Sequence, residues 1–122
     1  MSALETFLAT TKRIEALITN AANARRIPDR QASIAKSVRI DTPSWTVPAE
    51  QELAYAAAEA LRGRLVADYQ AAGEQRRDSI LVEVAAELHA LRAILPQQAA
   101  AVAIDLGQQA RMLQHEAQGG TV

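Results

Sequence analysis

"DSILVEVAAELHALRAILP", residues 78–96, is the stretch on which the fold class turns. Leu81, Val84, Leu88, Leu91 and Leu95 recur at alternating steps of three and four, the seam of one helix packing on another in a coiled coil or a bundle. Asp78 or Ser79 is placed to cap the start. Pro96 ends or kinks the helix, because it removes an amide and crowds the preceding turn.

On the C-terminal side, "QQAAAVAIDLGQQARMLQHEAQ", residues 97–118, carries the same spacing through Ala99, Ala103, Leu106, Ala110 and Leu113 and stops before Gly119 and Gly120. A seam rich in alanine lets helices approach closely but buries little area at ~25 cal/mol per Å². This helix is therefore the one expected to use a partner chain. On the N-terminal side, "TVPAEQELAYAAAEALRGRLVADYQAAG", residues 46–73, has Thr46 to cap, Pro48 in the first turn, and Glu50 and Glu52 at the positive end of the helix dipole. Gly73 is the expected stop. Gly63 costs about 1 kcal/mol against alanine in a helix interior, which suggests close approach of another backbone.

Farther out, "SALETFLATTKRIEALITNAANARR", residues 2–26, places Leu4, Phe7, Leu8, Thr11, Ile14, Leu17, Ile18 and Ala21 on one apolar stripe. Ser2 followed by Glu5 is a capping-box pattern. The helix should end by Ile27, since the residue before Pro28 is pushed out of helical geometry.

Composition supports an all-helical reading. Of 122 residues 49% are hydrophobic but only 3% aromatic, so the core must be built from Leu, Ile, Val and Ala. The chain is long enough to bury a core without staples, and too apolar to remain disordered. It has no cysteine, so disulfides, thiolate metal sites and cysteine nucleophiles are excluded. No apolar run approaches the ~20 residues of a membrane span. The expected fold is all-α: one domain over residues 1–122, an antiparallel bundle of about four helices with a long crossover after the first. The helices are expected at about 2–25, 48–72, 79–95 and 97–117, with a short helix inside the crossover at 26–47. A cytoplasmic protein, or a soluble part of a particle, is the expected setting.

Catalytic groups do not converge. His89 and His115 lack the spacing that puts two ligands on one helical face. Glu83 and Glu87 are four apart, but Ala86 and Ala90 stand where a di-metal motif needs histidine, so these carboxylates read as a solvated face. There is no Gly-x-Ser-x-Gly elbow and no glycine-rich phosphate loop. The expectation is a protein that is not an enzyme and needs neither cofactor nor metal.

The remaining singularity is "RRIPDRQASIAKSVRIDTPSWTVP", residues 25–48, with five of the thirteen basic residues, the one tryptophan and three of four prolines. Residues 1–40 have four more cations than acids and residues 41–122 five more acids than cations, which allows either a basic patch or an internal match between the halves. Residues 31–45 resemble a helix-turn-helix in the offsets of Ile34, Ala35, Val38, Ile40 and Trp45. Arg39 stands where that turn usually has glycine, and Pro43 and Pro48 would leave a recognition helix about one turn.

Two readings of the segment stand. It is a crossover with a short helix from about Asp29 to Ser37, capped by Asp29, followed by an extended run that lays Val38, Ile40 and Trp45 over the bundle. Alternatively Arg25, Arg26, Arg30, Lys36 and Arg39 meet phosphates while Trp45 stacks on an exposed base. The expected function is accordingly protein–protein interaction or assembly, with itself or another protein as partner. The alternative is a nucleic-acid-contacting accessory subunit.

Overall fold

The computed structural model of the chain describes residues 2–42 and 47–119. Every regular element among them is a helix: α1 (Ala3–Ala24), α2 (Ile27–Ser37) and α3 (Pro48–Ala117). The all-α expectation holds at that level, and the division of the second half into three helices does not. Residues 48–72, 79–95 and 97–117, expected as separate helices, belong to α3 alone.

Two residues misread as breaks explain the difference. A glycine stops a helix by turning to positive φ, and among the described residues Gly119 alone does so, at φ 69, just past the end of α3. Gly73 stays helical and buried. A Cβ there would lie 2.9 Å from Pro28 Cα, so this glycine is a point of close approach for α2. Asp78, expected as a cap, is interior to α3 and accepts a hydrogen bond from Arg77 Nε at 2.9 Å. Pro96 lies inside α3. Its missing amide releases the carbonyl of Arg92, but Arg92 and Pro96 are both exposed, so water can satisfy that oxygen. The cost of about 3 kcal/mol is local, and the Ala, Leu and Gln on either side favour the helix.

The helix starts follow local chemistry. Glu5 N donates to Ser2 Oγ at 3.1 Å and Ser2 N to Glu5 Oε2 at 3.2 Å, the reciprocal capping box at the head of α1. Val47 O accepts from Glu50 N and Gln51 N at 3.1 and 3.2 Å, which places Pro48 in the first turn of α3, where no amide is needed. The short helix begins two residues earlier than expected. Arg26 occupies its N-cap without a side-chain cap bond, and Pro28 rather than Asp29 sets its first turn. Residues 38–42 have no regular structure, so the second helix of a helix-turn-helix is not formed there. Val38 and Ile40 are half-buried. Trp45 lies outside the described residues.

The chain divides into two compact units, Met1–Asn20 with Val84–Val122, and Ala21–Glu83. In the first, α1 is covered along Ala3, Phe7, Thr10, Ile14 and Leu17, steps of four and three, with Thr6 and Thr11 half-buried at the edges of that line. On α3 the matching positions are Val84, Leu88, Leu91, Leu95, Gln98 and Val102. Leu4, Leu8 and Ile18, three of the eight positions of the stripe expected on α1, are exposed instead. One facing helix covers only a narrow seam, whereas the wider stripe would need the further helices of a bundle. Thr10, in the seam, satisfies its hydroxyl by donating to Thr6 O at 3.1 Å.

In the second unit α2 runs antiparallel to α3. Pro28 lies against Gly73, while Arg62 Nη1 donates to Lys36 O at 2.8 Å and Val38 O at 3.0 Å. Ala35 is fully buried between these two points, where a small side chain suits helices held this close.

Candidate interaction surfaces

The basic segment sits on the outer face of α2. Pro28, Gln31, Ala32 and Ala35 face inward, which turns Arg26, Asp29, Arg30, Ser33 and Ile34 outward along steps of three and four. These five residues line one open depression of about 520 Å³. All belong to one helix face, so the depression is a trough between neighbouring side chains and encloses nothing. Arg25, Arg26, Arg30, Lys36 and Arg39 are all exposed.

Among the described residues only one of these five charges, that of Arg39, meets a carboxylate, and that carboxylate is a near neighbour in sequence. Arg39 Nε pairs with Asp41 Oδ1, two residues on, at 2.7 Å, and both side chains are largely exposed. Among the described residues no carboxylate lies within ion-pair distance of Arg25, Arg26, Arg30 or Lys36. The longer-range pairing between the halves is made by Arg13. Its Nε and Nη2 donate to Glu87 Oε1 and Oε2 at 2.6 and 2.8 Å, a two-pronged pair linking α1 to α3. Hydrogen bonding from Arg13 holds the Glu87 carboxyl below the ordinary carboxylate value, and the same bond raises the guanidinium pKa.

The Glu87 side chain is still 40% exposed, as a solvated face requires, and from that face it also ties α3 to α1. Its relation to Arg13 spans 74 positions, and no local spacing announces it. Arg62 is the second residue that local reading missed. Sequence shows an arginine in mid-helix; the fold places it where it satisfies carbonyls at the end of α2.

His89 and His115 are exposed on α3. Among the described residues no group of three His, Cys, Asp or Glu side chains is placed to hold a metal ion. No helix among them is long and apolar enough to cross a membrane.

The other surface is apolar and lies at the C-terminal end of α3. From Ala103 to Gly119 every residue is exposed except Gly107, which is half-buried. Leu106 is 54% and Leu113 66% exposed, with Ile104 and Met112 in the same condition. The alanine-lined seam of Ala99, Ala103, Leu106, Ala110 and Leu113 is therefore formed as a helix face and left uncovered by its own chain.

No protein-family model, curated protein or solved structure matches the chain.

Proposed function

We propose that this protein is a non-enzymatic assembly component that works through protein contacts. The supporting observation is the imbalance of its apolar side chains. Among the described residues, Leu17, Ala21, Ala24, Ala35 and Val84 form the buried apolar core, while fourteen large apolar side chains are exposed. The chain leaves 9178 Å² accessible, against ~6,400 Å² for a folded monomer of its mass. The excess, about 2,800 Å², is larger than the ~800 Å² per partner that a stable interface covers. Light scattering of the purified protein tests this reading. A mass above the 13.1 kDa of one chain supports it, and a strict monomer at all concentrations counts against it.

A second reading draws on the turn before α2 and the outer face of that helix, where Arg25, Arg26, Arg30 and Lys36 lack carboxylate partners among the described residues. Unneutralised arginines on one face suit phosphate contact. Binding of a single-stranded oligonucleotide should then weaken with salt, with a log–log slope of about −0.7 per phosphate engaged. Replacing Arg25, Arg26 and Arg30 together by Glu should abolish it. Binding that ignores salt, or survives that replacement, removes this reading.

A further inference from the structure

We infer that residues 99–117 of α3 pair with the same residues of a second copy, antiparallel, about a two-fold axis beside Gln108. The inference rests on the assembly reading above and names the partner. The exposed seam runs Ala99, Ala103, Leu106, Ala110, Leu113 and Ala117, in steps of four and three. In a parallel pair like positions meet, giving Ala–Ala layers alternating with Leu–Leu layers. Those layers demand different helix spacings, which close packing resists. Antiparallel pairing brings Ala103 against Leu113 of the second copy and Leu106 against its Ala110, and the two-fold repeats both contacts. Each of the four central layers then sets a small side chain against a large one, so a single spacing serves them all.

Gly107 is the second observation. Glycine weakens a helix interior relative to alanine, yet a Cβ here would meet only Arg111 Nη1, at 3.7 Å. Nothing among the described residues requires it. In the antiparallel pair Gly107 flanks the seam beside the axis, where the two backbones come closest and a missing side chain is useful. The charges agree. Of the flanking positions Ala100, Val102, Gly107, Gln109, Gln114 and Glu116, Glu116 alone is charged, and it falls opposite Val102 of the second copy. Asp105 and Arg111 lie on the outer side. Like charges therefore do not meet across the pair.

The chain lacks cysteine, so single cysteines can be placed cleanly. Gln109→Cys puts two thiols beside the axis and is expected to give a covalent dimer with a short bismaleimide. Gln108→Cys, on the outer side, and Glu116→Cys, about 24 Å from its counterpart at 1.5 Å rise per residue, are expected to stay uncrosslinked. Leu106→Glu is expected to reduce the mass from light scattering to 13.1 kDa, with helicity by circular dichroism unchanged. Crosslinking at Glu116 as efficient as at Gln109 overturns the antiparallel register. An oligomer in which Gln109→Cys fails to crosslink, or which survives Leu106→Glu, overturns this pairing and leaves the assembly reading standing. A monomeric wild type overturns both.

Discussion

At the scale of the residue, two glycines in the same helix should respond oppositely to one methyl group. At Gly63 no described residue lies within 4 Å of a new Cβ, so Gly63→Ala should stabilise by about 1 kcal/mol through helix propensity. At Gly73 the Cβ would come within 2.9 Å of backbone, and Gly73→Ala should destabilise despite the same propensity gain, as α2 is pushed from α3. Urea denaturation of both variants checks the contrast, and equal shifts would mean that α2 does not pack here. Leucines divide in the same way. Leu17 is 2% exposed, so Leu17→Ala should cost about 2–5 kcal/mol; Leu53 is 72% exposed, and Leu53→Ala should change stability by less than about 0.5 kcal/mol in the isolated chain. Both leucines sit in amphipathic stretches. Only the position of the facing helix separates them.

At the scale of the element, α3 persists because its interruptions are weak where they stand, whereas α2 depends on a residue far from it in sequence. Arg62→Ala removes two hydrogen bonds from the C-terminal end of α2. It should cost about 1–3 kcal/mol and raise amide exchange in α2 above that in the middle of α3. The Arg13–Glu87 pair makes the α1–α3 contact sensitive to acid. The folded-state pKa of Glu87 lies below the ordinary 4.5, so its contribution is complete above that value and is lost as pH falls through the lowered pKa. The melting temperature of Glu87→Gln should lie below wild type at pH 7, and the two should converge as pH drops below about 4.5. A constant gap across that range would show that Glu87 acts through something other than its charge. The head of α1 was legible because Ser2 and Glu5 are local neighbours. Arg13–Glu87 and Arg62–Lys36 were not, because hydrogen bonds spanning 74 and 26 positions leave no periodic trace.

At the scale of the whole molecule, accessible area is the governing quantity. The chain leaves about 2,800 Å² more exposed than a compact monomer of its mass, with fourteen large apolar side chains exposed among the described residues. Association that covers this surface should make the melting temperature rise with protein concentration, and a concentration-independent value would argue for a stable lone chain. The basic face of α2 and the apolar face at the end of α3 are chemically unlike, so salt should weaken any phosphate binding by the first far more than any self-association proposed for the second.

Sequence alone determined that this chain is helical, where α1 begins, that α3 has Pro48 in its first turn, and that residues 99–113 form an apolar seam along one helix face. Each of these depends on periodicity or on groups within four residues of one another, which a linear reading resolves. Tertiary structure decided that Gly73 and Pro96 leave α3 whole, that Leu4, Leu8 and Ile18 stay exposed, and that Glu87 and Arg62 are tied to other helices. Those outcomes depend on which surface lies opposite. A stripe of apolar residues specifies that something should cover it, and only the packed chain specifies how much of it is covered from within.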